Sequence, residues 1–308
     1  MDNWNENDIA DLTGNLVIVT GGNSGLGYET VRVSAEHGAE VIIASRNLDR
    51  GNAALVKMKR KSPNIDVNVR HLDLSDLVSV EQFSEGIKEN YTHLNYLFNN
   101  AGTMMVPYGL TKQGFELQFG VNHLGHFALT GKLLPLIMST KGSRVITVSS
   151  NAHRSGYINF DDLQMKNSYN RSGAYSRSKV ANLFFAYELQ RKFEQYNIDS
   201  LSLASHPGLS GTNLATQQDG MIRNGLLKVI TRALLPLFSQ SAYKGALTQI
   251  RAAYDQQAQG GEFYGPHKGM RGKPVKVEST SYSQDKSVAA QLWEVSEELT
   301  GIIYNFAG

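Results

Sequence analysis

Short apolar, β-branched runs recur along this chain, each followed by a stretch with helical spacing of its apolar positions. Leu16-Val17-Ile18-Val19-Thr20 is the first such run, and Gly21-Gly22-Asn23-Ser24-Gly25-Leu26-Gly27 follows it at once. A helical pattern then extends to about His37, Gly38 stops it, and Glu40-Val41-Ile42-Ile43-Ala44 forms the next run. The same alternation predicts helices over 48–60, 77–90, 115–138 (interrupted near Pro135) and 174–196, and strands over 66–72, 94–98, 144–149 and 199–204. Continuous apolar strands between helices indicate a parallel sheet covered on both faces. Two stretches break the rhythm. Residues 151–173 are polar and loop-like, and 209–238 begin with glycine, serine, threonine and asparagine before turning apolar. The Gly-rich tail 259–273 precedes an amphipathic helix over about 286–299, stopped by Gly301.

Right-handed crossovers between such strands give an α/β fold: a doubly wound parallel sheet of the Rossmann type with helices on both faces. No repeat, linker or low-complexity tract divides the 308 residues, so 1–308 reads as a single domain. Within it, 151–173 is expected to be an insertion loop and 209–238 a substrate lid, whose Leu226, Leu227, Val229, Ile230, Leu234, Leu235 and Leu237 suit a bulky apolar substrate as well as a capped core or a subunit contact. A composition of 41% hydrophobic and 19% charged residues supports a large core. The net charge of +2 gives no reason to expect nucleic acid or an anionic membrane as a partner. With no cysteine, the chain has no disulfide, thiolate metal site or cysteine nucleophile. The N-terminus has no signal-peptide pattern, and the most apolar stretch, near 226–238, is interrupted by Lys228, Arg232 and Pro236. No stable membrane insertion is expected, and the default location is cytoplasmic.

Chemistry enters first at the glycine loop. Thr20-Gly21-x-x-x-Gly25-x-Gly27 lies at a strand-to-helix junction, where glycines admit a pyrophosphate and the helix N-terminus stabilises its charge. The second strand should end at the adenosine ribose, roughly 20 residues further on. An acidic residue there would bind the 2′-hydroxyl of NAD, but the chain has Ser45-Arg46. A guanidinium suits a 2′-phosphate, so the expected cofactor is NADP(H). Tyr-x-x-x-Lys occurs four times, at Tyr108/Lys112, Tyr175/Lys179, Tyr264/Lys268 and Tyr282/Lys286. On a helix this spacing puts phenol and ammonium on one side, and the cation favours the phenolate. Pro107 and Gly109 flank Tyr108, and Gly265-Pro266 follow Tyr264, so neither pair sits on an unbroken helix. Tyr282 lies at the start of the terminal helix, far past the other motifs.

Taken in order, Thr20–Gly27, Asn99-Asn100-Ala101-Gly102, Asn122, Val148-Ser149-Ser150, Tyr175/Lys179 and Pro207-Gly208 resemble the motifs of the short-chain dehydrogenase/reductase family. The resemblance covers about 12–253. It is nearest to the retinol-dehydrogenase/WW-domain-oxidoreductase branch, on Asn99–Met105, Gly120-Val121-Asn122-His123-Leu124-Gly125-His126-Phe127, Ser149–His153 and Ala174–Asn182. The resemblance implies that Tyr175 exchanges a proton with a carbonyl or alcohol oxygen, which Ser150 hydrogen-bonds. Lys179 would lower the phenol's pKa and hold the nicotinamide ribose. Asn122 would hold a water linking Lys179 to solvent. Gly21, Asn23, Ser24, Gly25, Leu26 and Gly27 would cradle the phosphates, and Ser45 and Arg46 would meet the adenosine ribose. Asp73 and Leu74 would contact adenine, and Asn100, Ala101 and Gly102 would line the cleft. Pro207, Gly208 and Thr212 would grip the carboxamide. Met105 and His153 would border the substrate, together with Ser150 and Tyr175.

The implied activity is NADP(H)-dependent interconversion of a ketone or aldehyde with its alcohol by a monomer or homodimer. Relatives often pair through the helices corresponding to 115–138 and 174–196, a packing that 151–173 would obstruct. Reduction of a carbon–carbon double bond would use the same residues and remains an alternative, as does a non-catalytic NADP(H)-sensing protein. No metal is expected. His123 and His126 have ligand-like spacing but no third ligand, and the absence of Gly-x-Ser-x-Gly removes a hydrolase reading of Ser150 and His153.

Overall fold

The computed structural model describes residues 4–209 and 240–307. Its strands are β1 (Leu16–Thr20), β2 (Glu40–Ser45), β3 (Val67–His71), β4 (Tyr96–Asn99), β5 (Ser143–Val148), β6 (Ser200–Ser205), β7 (Phe263–Pro266) and β8 (Pro274–Lys276). They form one sheet in the order β3-β2-β1-β4-β5-β6-β7-β8. All neighbouring pairs are parallel except β7 and β8. The chain order reverses between β1 and β4, which opens a crevice at the carboxyl ends of these strands.

Alternate residues of the central strands feed two apolar layers. Val17, Val19, Val41 and Ile43 pack towards α1 (Gly25–Glu36) and Met58 of α2 (Leu48–Lys59). Leu16, Ile18, Ile42 and Ala44 pack on the other face, against α3 (Leu77–Lys88), α5 (Gly125–Met138) and α6 (Arg171–Gln195). The strand side chains are almost wholly removed from water on both faces, which explains their continuous apolar sequence.

The long helix expected over 115–138 has a different break from the one foreseen. A single α-turn, α4 (Leu117–Phe119), passes into a π-helical segment, Gly120–Leu124, and then into α5. Pro135 lies in the last turn of α5 without ending the helix, forgoing the bond its N–H would have given to the carbonyl four residues back. The tail holds more structure than its sequence suggested. Helix α7 (Ala242–Tyr254) packs against α1's layer, and β7 and β8 extend the sheet. Helix α8 (Lys286–Thr300) covers the α5/α6 face, with Trp293 5.1 Å from Phe127 and 5.9 Å from Phe185 between ring centroids. The 151–173 stretch carries two 3-10 turns, Asn151–Ser155 and Phe160–Asp162, and α6 begins within it. Among the described residues, no helix is long and apolar enough to cross a membrane. The stretch 210–238 of the expected lid lies outside the described residues.

Candidate active site

A cleft of about 480 Å³ opens over the ends of β1, β2 and β4. One wall is the glycine loop: Gly21, Asn23, Ser24, Gly25, Leu26 and Gly27 all line it. Close packing requires glycine at position 27, because a Cβ there would stand 2.4 Å from the Gly21 carbonyl oxygen. Ser24 caps α1 without a side-chain hydrogen bond, so no side chain of the N-cap competes for the first-turn N–H groups, and a helix N-terminus of this kind favours an anion. These features fit a dinucleotide's phosphates. At the far end stand Ser45 and Arg46, and beside them Asn47 and Arg50, which the sequence reading did not single out. Arg46 and Arg50 are both exposed, and among the described residues no carboxylate pairs with either. Asp73 and Leu74 line the third side, and Asp73's carboxylate is held by the Ser75 backbone N–H at 2.9 Å and hydroxyl at 2.7 Å.

Asn100, Ala101 and Gly102 close the cleft at the inner end. Behind Gly102 lie Asn122 and Lys179. A Cβ on Gly102 would stand 3.1 Å from Asn122 Oδ1 and 3.5 Å from Lys179 Nζ, so only a glycine leaves that approach open. Lys179 lies on α6, one turn after Tyr175, and its Nζ is 5.7 Å from the tyrosine ring centroid. The ammonium donates to the Val148 carbonyl at 3.1 Å, and burial pulls its pKa down to about 8. Ser149 donates to the Lys179 carbonyl at 2.7 Å, tying the end of β5 to α6.

Tyr175 is buried, and burial pushes its phenol pKa up, opposed by a hydrogen bond with the Ser150 side chain. Desolvation is the larger influence on this phenol, and the nearby Lys179 ammonium is bonded to a backbone carbonyl. Asn122 sits in the π-helical segment. Its amide clamps Thr103 from both sides, with Oδ1 accepting the Thr103 N–H at 2.8 Å and Nδ2 donating to the Thr103 carbonyl at 2.9 Å. Nδ2 also donates to Ser178 Oγ at 2.9 Å. This geometry makes Asn122 a brace between loop and helix.

Other expected residues fall in different places. Met105 has a left-handed backbone (φ 51) and its N–H donates to Gln118 Oε1 at 2.7 Å, so the loop before it is pinned. His153 is 1% exposed, which removes it from the cleft surface. Its Nδ1 donates to the Ser150 carbonyl at 2.6 Å, and its ring meets Phe263 edge-on at 5.6 Å. His153 therefore acts on Ser150's backbone, because the 3-10 turn Asn151–Ser155 that carries it folds the ring inward. Pro207 and Gly208 follow β6, and Leu209 donates to the Met270 carbonyl at 2.8 Å, so the β7–β8 loop packs beside them. Ser150, Tyr175, Lys179, Pro207 and Gly208 stand outside the cleft's lining, and Gly102 is the junction. Thr212 lies outside the described residues. The histidines at metal-like spacing turn to separate partners, His123 to Ser296 and His126 to Thr20, each at 2.9 Å.

The sequence from 15 to 221 matches the family model described as short chain dehydrogenase. Human retinol dehydrogenase 14 is 38% identical over 311 residues, covering 95% of this chain and 88% of its own. Human retinol dehydrogenase 11 is 35% identical over 294 residues, covering 94% and 87%. Among solved structures, an uncharacterised protein from Mycobacterium paratuberculosis is 39% identical and superposes with a TM-score of 0.81, covering 99% of this chain and 100% of that one.

Proposed function

Because the chain belongs to the short-chain dehydrogenase family, in its retinol-dehydrogenase-like branch, and is thereby an oxidoreductase working with a nicotinamide cofactor, we propose that it interconverts a ketone or aldehyde with its alcohol using NADP(H). The observation that carries this reading is the convergence of Ser150, Tyr175, Lys179 and Asn122 behind Gly102, at the inner end of a cleft whose outer end presents Arg46 and Arg50. The glycine loop and the uncapped start of α1 would hold the pyrophosphate. The two arginines would meet a 2′-phosphate, and Gly102 would let the nicotinamide end approach Lys179. The cofactor supplies the hydride; the chain supplies orientation and the proton.

The mechanism follows from the groups themselves. A buried phenol with a raised pKa is fully protonated at neutral pH, which is the form needed to protonate a carbonyl oxygen. Ser150 shares a hydrogen bond with that phenol, so its hydroxyl and the phenol together define one point where a substrate oxygen would sit. As the proton leaves Tyr175, the forming phenolate is steadied by Ser150 and by the nearby Lys179 charge. The Asn122 amide keeps the Thr103 side of the cleft and the Ser178 side of α6 at fixed separation. The names of the relatives add retinol, a bulky apolar alcohol, as a substrate class for this chain, which agrees with the apolar sequence of 226–237.

The test is a carbonyl panel (aliphatic, aromatic, retinoid, steroid and β-keto ester) with NADPH oxidation as the readout. Reduction of a retinoid or other bulky apolar carbonyl supports the proposal. No turnover with any member overturns the carbonyl reading, and catalytic efficiency with NADH equal to or above that with NADPH overturns the cofactor assignment.

A further inference from the structure

His126, in the first turn of α5, is 1% exposed, and the mechanism above gives it no role. Its two ring nitrogens reach groups from two sides of the cleft. Nδ1 lies 3.0 Å from the Asn122 carbonyl oxygen, and Nε2 lies 2.9 Å from Thr20 Oγ1. A carbonyl cannot donate, so Nδ1 carries the proton. Burial, with the Lys179 charge as a further contribution, pulls the imidazole pKa down to about 4, so the ring is neutral at pH 7 and Nε2 accepts. The Thr20 hydroxyl then donates to His126 in preference to the Phe98 carbonyl, which stands slightly further away at 3.1 Å. Its oxygen accepts the backbone N–H groups of Asn100 and Ala101, each at 2.9 Å.

Every link in this chain has a fixed direction. It starts at the Asn100-Ala101 turn, passes through the last residue of the strand that feeds the glycine loop, and ends on the backbone of Asn122. We infer that His126 is a positioning residue that locks the glycine-loop strand and the Asn100–Gly102 turn to the π-helical turn of Asn122. The inference rests on the carbonyl-reductase reading, adding a residue that touches neither hydride nor proton. Its effect is to hold the cofactor's seat and the Asn122 brace in one register, and small misplacements of reacting groups cost rate far more than binding.

A histidine serving only as core filling would be replaced by phenylalanine at a cost in stability alone. The test is therefore a set of variants, His126→Phe, His126→Asn and Thr20→Val, together with the His126→Phe/Thr20→Val double. They are compared in kcat and KM for the best panel substrate, in NADPH affinity and in melting temperature. His126→Phe is expected to lower kcat by about tenfold or more, with KM and NADPH affinity within about threefold. His126→Asn keeps a donor where Nδ1 stood and should recover part of the loss. Adding Thr20→Val to His126→Phe should cost less than Thr20→Val costs alone, because the link is already cut. Unchanged kcat in His126→Phe, or full additivity in the double variant, would overturn the inference. Wild-type protein that reduces no carbonyl overturns the reading of function instead. The inference is then read from amide hydrogen exchange at Ala101 and Thr103: protection lost in His126→Phe supports it, and protection equal to wild type sinks it.

Discussion

Lys179 sits 4% exposed with its ammonium on the Val148 carbonyl, and its pKa falls to about 8 from an ordinary value of 10.5. Between those values the unfolded chain binds the extra proton, so stability rises with pH across the window from about 8 to 10.5 and the full penalty is present below 8. The difference corresponds to roughly 3 kcal/mol. Lys179→Met removes the buried charge, and Val148 keeps its bond from Asn182 Nδ2 at 3.0 Å. Thermal unfolding of this variant at pH 7 should come several degrees above wild type, with the gain shrinking towards nothing near pH 10.5, while turnover is lost. Tyr175→Phe should likewise remove nearly all turnover and leave NADPH affinity within about threefold by fluorescence titration, since the hydroxyl's hydrogen bond is to Ser150. At the other end of the cleft, Arg46 and Arg50 would each contribute hydrogen bonds to a charged group, worth roughly 1.5–3 kcal/mol. Arg46→Ala should cut the NADPH-over-NADH preference by at least tenfold, and Arg50→Ala should cut it measurably as well. Equal preference ratios in wild type and both variants would remove the arginines from the site.

The elements that carry the site are fastened to one another by buried polar groups more than by the helices' own propensities. Arg177 lies between Tyr175 and Lys179 in sequence but turns the other way. Its Nη2 donates to Glu116 Oε2 at 3.1 Å, and its guanidinium lies over the Phe119 ring at 5.2 Å. Glu116 is fully buried and also caps α4, accepting the N–H groups of Gln118 at 2.9 Å and Phe119 at 2.8 Å. The pair thus anchors α6 to the turn that leads into the π-helical segment. Glu116→Gln leaves a buried guanidinium without its counter-charge and should destabilise the protein by about 3–5 kcal/mol in urea titrations. Glu116→Leu combined with Arg177→Met should lose clearly less, because no charge is then stranded. The π-helical segment itself was invisible in the sequence: Gly120–Leu124 is a single short stretch, and widening one turn leaves the apolar spacing on either side of it readable as one helix. The first six strands, by contrast, were legible to within a residue or two, since β1, β2 and β4 are largely apolar runs and β3, β5 and β6 carry recurring apolar positions between helices. Strands β7 and β8 were not, being short, glycine- and proline-bearing and at the sheet's edge.

Across the whole molecule, packing has taken several imidazoles out of water in neutral form. Burial pulls His123 to about 3 and both His126 and His206 to about 4. In the unfolded chain each titrates near 6.5, so between about 4 and 6.5 the unfolded state binds more protons and stability falls as pH falls. With three such groups the slope approaches about 4 kcal/mol per pH unit in the middle of that window. The urea midpoint should drop steeply from pH 6.5 to 5 and much less from pH 8 to 7. His123→Phe should flatten the acid limb by about a third.

The residues that act together also divide by how they could be known. Alternation of apolar runs determined the α/β architecture, and the order of Thr20–Gly27, Asn99–Gly102, Ser150, Tyr175/Lys179 and Pro207-Gly208 determined the family, because local chain conformation and cofactor contacts are written in short contiguous stretches. Arg46 was legible at the end of a strand, whereas Arg50 looked like any solvated helix arginine until α2 turned it to the cleft. Tertiary structure alone decided that Lys179 bonds a backbone carbonyl, that His153 is buried under Ser150, that Asn122 braces Thr103, and that His126 meets Thr20 across 106 positions of sequence. Each of these depends on distance and desolvation between segments far apart in the chain, and a pattern read along the sequence carries neither.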